Sequence, residues 1–373
     1  MVRTLGIEEE MLLVDVRDGH PRPLSSLLLL RATHEPPEVA GVGVHGALEG
    51  EFQQQQIETH TAPAADLSTL RAEVRRWRAE AIHAADGTGS AVAALATSPL
   101  PVRPVVAQST RYAWMEDRYR LIAREHLICG CHVHVSVDGD EEGVAVIDRI
   151  RVWLPTLLAL SANSPFWRGE DTGYASFRSQ MLARWPSWGP PDAYGSAEAY
   201  HRRVRDMVLS SVILDEGMVY LDARLSEHYP TVEVRAADVC ATADEAVVLA
   251  ALCRGLVETA AQQWRRGLPP PDVPTQLLRF ASWQAGRDGI GGQLIDWHSG
   301  LPRPCWFVIG ALLEHVGPAL EAAGDLLAVT EGLDRLREEG NGAVRQRAVH
   351  ARSGRLVDVV AEAVRVTACH VDA

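Results

Sequence analysis

Four short apolar runs each carry residues able to hold a metal or a phosphate. They are "IEEEM" with Glu8 and Glu10, "QIETH" with Glu58, "CHVHV" with His132 and His134, and "VEVR" with Glu233 and Arg235. Three of the four space their polar residues two apart, which on a β-strand places both side chains on one face. Glu8 and Glu10 would then lie about 6–7 Å apart. At an effective dielectric of about 20 their repulsion is about 2–3 kcal/mol. A divalent cation between them reverses that sign. Oxygen donors with an occasional imidazole suit Mg²⁺ or Mn²⁺ better than Zn²⁺. An arginine beside such acids suits phosphoryl chemistry, the acids holding ions and the guanidinium neutralising phosphate oxygens.

The elements that must position these residues follow from periodicity. Alternation predicts strands over 4–15, 51–61, 127–137, 218–226 and 230–239. In the first, Gly6, Glu8, Glu10 and Leu12 share a face, and Leu5, Ile7, Glu9, Met11 and Leu13 form an apolar face with Glu9 as an intruder. In 127–137, His132, His134 and Ser136 share one face and Cys129, Cys131, Val133 and Val135 the other. The Cys-x-Cys-His-x-His cluster therefore cannot be a four-ligand zinc site on a regular strand, and both cysteines read as core. Asp222 and Arg224 share a face in 218–226, and Thr231, Glu233 and Arg235 in 230–239. Glu51 and Glu58 differ in parity, so only a bulge aligns them, and Glu58 is the safer choice. A lone Glu-x-Glu or Glu-x-Arg usually marks a solvated face; agreement among four strands points to a site.

Helices complete the frame. Leu67, Leu70, Val74, Trp77 and Ala81 recur at helical spacing over 66–85, with arginines covering the other side. Residues 144–162 read as a buried helix kinked at Pro155. Thr242 and Glu245 form a capping box for a helix over 243–264. Residues 164–196 form a long loop, rich in Gly, Pro and Trp and functional rather than disordered. The segment 268–274 is a short linker, and the remainder is mostly helical with a break at "EGNGAVRQR" (339–347). The fold class is α+β, a mainly antiparallel sheet with helices on one side, in a single domain over 1–373.

Composition narrows the chemistry. All 36 cationic side chains are arginine. A lysine Schiff base, a P-loop lysine and a kinase strand lysine are therefore excluded. The net charge of −13 argues against nucleic acid as a partner. No apolar run is long enough to span a membrane and no signal peptide is visible. The six cysteines form no disulfide framework, which fits a reducing cytoplasm.

With these residues assembled, the chain resembles the carboxylate–amine ligase family, also called the YbdK-like or glutamate–cysteine ligase type 2 family. The matching stretches are "LGIEEEMLLVD", "QQIETHTAP", "RYAWMEDRYR", "CGCHVHVSV", "LALSANSPFWRGEDTGYASFRS", "RWPSWGPP", "YLDARLSEHYPTVEVRAADVC" and "NGAVRQR", in order over residues 5–347. The resemblance implies a glutamine-synthetase-like fold, a curved antiparallel sheet forming a funnel with helices outside. It implies an ATP-dependent reaction in which a carboxylate forms an acyl phosphate and an amine displaces phosphate. Glutamate and cysteine are the nominal substrates, and specialised biosynthesis is open to members. The metal ligands implied are Glu8, Glu10, Glu58, His134 with His132 beside it, and Glu233. Arg235 and Arg178 would face substrate or phosphate. Arg345, Arg347 and Arg287 would contact the nucleotide. A homo-oligomer such as a dimer is expected.

Departures from the family pattern are the run Gln53–Gln56, Glu9, Leu225 after the Asp-x-Arg motif, and Gly286 before Arg287. They bear on the substrates more than on the metals. The alternatives are a guanidino-kinase-like phosphotransferase, a metallohydrolase using His132 and His134, and a non-catalytic nucleotide- or amino-acid-binding homologue.

Overall fold

The computed structural model describes residues 2–32 and 47–369. Among them, seven strands form one antiparallel sheet: β1 (Leu5–Asp15), β2 (Ala47–Gly50), β3 (Gln56–His60), β4 (Ser90–Ala93), β5 (Gly130–Ser136), β8 (Ala223–Leu225) and β9 (Thr231–Asp238). Two small hairpins stand apart, β6 (Phe166–Trp167) with β7 (Glu170–Asp171) and β10 (Gln293–Asp296) with β11 (Leu301–Pro304). The sheet order is β2-β3-β1-β5-β9-β8, and β4 pairs with the second half of β1. The α+β architecture expected from the alternation is the one observed.

One sheet face is apolar. Leu5, Ile7, Val133, Val135, Val232 and Val234 join a core with residues of the helices Leu67–Ala85 and Ala243–Arg265. Each fully buried Val, Leu or Ile contributes about 1.5–3 kcal/mol. Glu9 lies on this face, as its parity requires, and is buried. Its partner is Arg78, whose Nη2 and Nε donate to Glu9 at 2.6 and 2.8 Å. Arg78 also donates to the carbonyls of Cys240 and Ala241, at 2.9 and 3.2 Å. Arg78, four residues after Val74, completes the buried stripe of its helix, while Trp77 is only half-buried. The arginines of that helix are thus not all on its outer side.

Local readings hold unevenly. Thr242 caps the helix Ala243–Arg265 by accepting from the Glu245 N–H at 3.2 Å, but the Glu245 side chain turns to Arg345. The buried stretch 144–162 is two helices, Asp140–Ile150 and Leu154–Ser161, with Pro155 in the first turn of the second. Proline is tolerated there because that N–H has no helical partner. The predicted strand 218–226 shrinks to β8, because residues 216–218 form a 3₁₀ turn. The long loop 164–196 contains the β6–β7 hairpin and a short helix, Phe177–Leu182.

Candidate active site

The other face of the sheet gathers the acids. Register sets Glu8 opposite His132 on β5 and His60 on β3, and Glu10 opposite Glu58. On β5 and β9, His134 faces Glu233, which in turn faces Arg224 on β8. An irregularity between Cys131 and Val133 marks a bulge beside Arg235. Bulges next to active sites re-aim side chains. Four sequence motifs far apart in the chain therefore meet on adjacent strands.

Among the described residues, two groups of three donors lie close enough to share an ion: Glu8, His132 and Glu233, and Glu10, Glu58 and His132, each set with ligand atoms within 4.8 Å of one another. His132 belongs to both. His134, the histidine to which the family resemblance gave the larger role, belongs to neither. Register explains the difference, since His134 sits opposite Gly6. Its Nε2 is 3.0 Å from Glu8 and its Nδ1 is 2.9 Å from the Thr231 hydroxyl. Oxygen-rich sets with one imidazole fit Mg²⁺ or Mn²⁺.

The electrostatics are those of an acid cluster short of cations. Burial pushes the Glu10 carboxyl up to about 7, aided by Glu51 and opposed by Arg178, and Gly130 N–H donates to it at 2.6 Å. Burial and Glu58 push Glu51 up to about 8. Burial raises Glu58 as well. Glu8 goes the other way despite its burial, because His132, His134 and His60 all hold its charged form. His60 resists burial through Glu58 and Glu8 and is pushed up to about 11. Burial and Arg235 lower His132 to about 4, leaving it neutral and able to ligate. Arg235 and Arg224 outweigh burial and hold Glu233 ionised; Arg224 Nε donates to it at 2.7 Å and Arg235 Nη1 is a second donor.

Glu8, Glu10, Glu51 and Glu58 line a cavity of about 240 Å³ together with Arg111, Arg178, Arg224 and Arg235. Arg111 is paired with Asp215 at 2.9 Å and Arg224 with Glu233. Arg178 and Arg235 differ, since the Nε of each is buried without an acceptor among the described residues. Arg178 enters from the long loop and packs across Gly130, where any Cβ would collide with its guanidinium. Asp238 supports it from behind at 3.8 Å, while accepting from the Ser164 and Ser176 hydroxyls and the Asn163 N–H at 2.7, 2.8 and 2.8 Å. A second cavity of about 470 Å³ meets the first at Glu8 and His60, and is bordered by Gly6, His134, Tyr229, Pro230 and Thr231.

Arg345, Arg347 and Arg287 line neither of these cavities. Arg345 pairs with Glu245. Arg347 makes a two-point pair with Asp171 at 2.9 and 2.6 Å. Arg287 lies over the Tyr174 ring at 5.9 Å. The motif "NGAVRQR" instead braces the loop. Gln346 Nε2 donates to the Asn163 side chain at 2.7 Å and its carbonyl at 2.9 Å, and Asn341 Nδ2 donates to the Ala159 carbonyl at 3.0 Å.

Sequence reasoning missed His60, which follows Glu58 by two and so shares its face. It left Glu51 undecided. The predicted strand 51–61 is interrupted, and residues 51–55 turn between β2 and β3 so that Glu51 enters the cavity without any bulge in β3. Arg111, Tyr112 and His126 came from helix and loop positions that no strand parity could flag.

Comparison with known proteins gives the family and the fold. The profile of glutamate–cysteine ligase family 2 matches residues 4–362. A Streptomyces coelicolor protein carrying the provisional name glutamate–cysteine ligase 2 is 53% identical over 366 residues, covering 98% of this chain and 99% of its own length. A Paenarthrobacter aurescens protein with the provisional name glutamate–cysteine ligase 2-1 is 47% identical, covering 98% of this chain and 95% of its own length. Among solved structures, glutamate–cysteine ligase from Francisella tularensis in complex with AMP has a TM-score of 0.67 at 12% identity, covering 99% of this chain and 90% of that one. The ligase PafA in complex with the ubiquitin-like protein Pup has a TM-score of 0.54 at 13% identity, covering 98% of this chain and 72% of that one. These two show a shared fold. The chain belongs to glutamate–cysteine ligase family 2, a family of ATP-dependent carboxylate–amine ligases.

Proposed function

We propose that the protein joins the carboxylate of an amino acid to an amine, using ATP and Mg²⁺ or Mn²⁺, through an acyl phosphate. Glutamate and cysteine are the nominal pair by the relatives' names. One observation carries the reading: two three-donor sets sharing His132 border Arg178 and Arg235, whose buried Nε atoms lack acceptors among the described residues. A carboxylate needs activation because hydroxide leaves poorly, and phosphorylation supplies a better leaving group. Glu8, Glu10, Glu58, His132 and Glu233 would hold the ions, which neutralise phosphate oxygens when bound. Arg235 faces the transferring phosphoryl group, and Arg178 holds a substrate carboxylate.

The second cavity receives the nucleoside in this reading, with the phosphates passing the shared wall of Glu8 and His60. Arg345, Arg347 and Arg287 are then structural. The whole chain works as one catalytic domain. No described helix is long and apolar enough to cross a membrane, and the six cysteines are unpaired, in keeping with our reading of a cytoplasmic enzyme.

Phosphate release measured against a panel of amino acids and amines, with mass spectrometry of the products, tests the proposal. Phosphate should appear only with a carboxylate–amine pair, and the product mass should equal their sum less water. A phosphorylated carboxylate accumulating without phosphate release would mark a phosphotransferase, and turnover without ATP a hydrolase. If no pair stimulates ATP consumption, the ligase reading is wrong.

A further inference from the structure

The glutamine run is the part of the sequence that the ligase chemistry leaves unused. Three of its members hold neighbouring segments. Gln53 Nε2 donates to the Ala123 carbonyl at 3.0 Å, Gln54 Nε2 to the Ser26 hydroxyl at 2.8 Å, and Gln55 Nε2 to the Arg103 carbonyl at 3.0 Å. Gln53 and Gln56 each also keep a buried Oε1 without a partner among the described residues, and of the two Gln56 is the one that lines the cavity. Its Nε2 donates to the Ile128 carbonyl at 2.6 Å, while its Oε1 is buried with no partner among the described residues. That carbonyl fixes the sense of the amide, since the reverse orientation would set two acceptors against each other. Gln56 is 3% exposed and lines the arginine-rich cavity, on the same face of β3 as Glu58.

His126 lines the same cavity, two residues before Ile128. The Trp185 indole N–H donates to its Nδ1 at 2.9 Å. That bond occupies the Nδ1 lone pair, so the proton of the neutral ring sits on Nε2. Burial, together with Arg178 and Arg184, keeps the ring neutral. Nε2 has no partner among the described residues and offers an N–H but no lone pair. His126 therefore cannot be the base that deprotonates the amine. Phe52, Met115, Ile128 and Leu182 are the apolar side chains of the same cavity, and the Phe52 ring stands 6.1 Å from that of His126.

We propose that Gln56 Oε1 and His126 Nε2–H select the amine substrate by reading a neutral group that is both donor and acceptor, a hydroxyl or a carboxamide. The inference rests on the ligase reading above. Glu10, Glu51 and Glu58 line the same cavity and disfavour an anionic group beside Gln56, while Arg178 disfavours a cation beside His126. A methyl group satisfies neither polar atom, and a thiol satisfies both weakly. Sites built to hydrogen-bond a substrate group reject the analogue that lacks it.

The test is kcat/KM for matched amines at saturating ATP, Mg²⁺ and the best carboxylate: serine against alanine and cysteine, asparagine against leucine, ethanolamine against propylamine. The polar member should exceed its partner by at least about tenfold in one of these sets. Preference for serine or ethanolamine identifies a hydroxyl, and preference for asparagine a carboxamide. In Gln56→Met and in His126→Phe the preference should fall to within about threefold of unity. A flat profile in the parent overturns the inference while leaving the ligase reading intact, and requires no variant to fold. A preference that survives unchanged in both variants also overturns it. Absence of product from every pair overturns the ligase reading, and this inference with it.

Discussion

The two faces of β1 handle adjacent glutamates in opposite ways. Glu9 meets a single arginine through two hydrogen bonds, and carbonyls of Cys240 and Ala241 take the remaining donors of Arg78. Its charge is matched. Glu8 and Glu10 share their side with Glu51 and Glu58, and burial plus mutual repulsion leaves part of that charge unmatched. A matched pair can only hold elements together, whereas an unmatched cluster has free energy to gain from a cation.

The largest effect should come from breaking the matched side. Arg78→Ala strands a buried carboxylate and should cost about 3–5 kcal/mol of unfolding free energy in a denaturant titration. Replacing both partners, Glu9→Leu with Arg78→Met, should recover most of that loss, because matched apolar residues avoid the desolvation penalty. A small cost for Arg78→Ala would mean that the pair holds little.

A smaller effect should come from the brace behind Arg178. Gly342 packs so closely on the Asn163 side chain that a Cβ would clash with it. Gly342→Ala should cost about 1–3 kcal/mol by overpacking. Through Asn163, Asp238 and Arg178 it should also raise KM for the carboxylate more than it lowers kcat. Unchanged KM with lost stability would separate the brace from the site.

The smallest effect is a pH dependence at the cavity wall. The folded His126 ring takes up its proton only near pH 3, because of burial and the arginines Arg178 and Arg184, whereas an unfolded histidine does so near pH 6.5. Between those values the unfolded chain binds more protons, so stability falls as pH drops from 6.5 toward 3. Allowing for solvent in the cavity, the loss by pH 5 is about 1 kcal/mol. His126→Gln should flatten that part of the stability profile, and an unchanged slope would place the ring in water.

Much of this was legible in the sequence because strand parity is a strong constraint. The faces of Glu8, Glu10, His132, Glu233 and Arg235 follow from alternation alone, and so does the placement of Cys129 and Cys131 in the core. Arg78 was not legible, since nothing in a helical stripe distinguishes a buried arginine from a gap in it until its partner is known. Glu51 was hidden by the turn at residues 51–55 that separates β2 from β3, which parity cannot see. His60 could have been found by extending the Glu58 face two residues. The emphasis on His134 over His132 came from the resemblance, whereas the choice between them depends on cross-strand register, which one strand does not encode. The resemblance gave Arg345 and Arg347 to the nucleotide, whereas in the structure they meet Glu245 and Asp171 across long stretches of chain.

The contrast between the two faces reduces to one measurement, Mn²⁺ binding followed by electron paramagnetic resonance, with the thermal midpoint of the metal-free protein recorded in parallel. The parent should bind Mn²⁺. Glu58→Gln should weaken that binding by at least about tenfold, yet its metal-free midpoint should equal or exceed the parent's, because one buried acid has left a crowded cluster. Undiminished Mn²⁺ affinity in Glu58→Gln, or a lowered midpoint with affinity retained, would contradict a metal site on the polar face of the sheet.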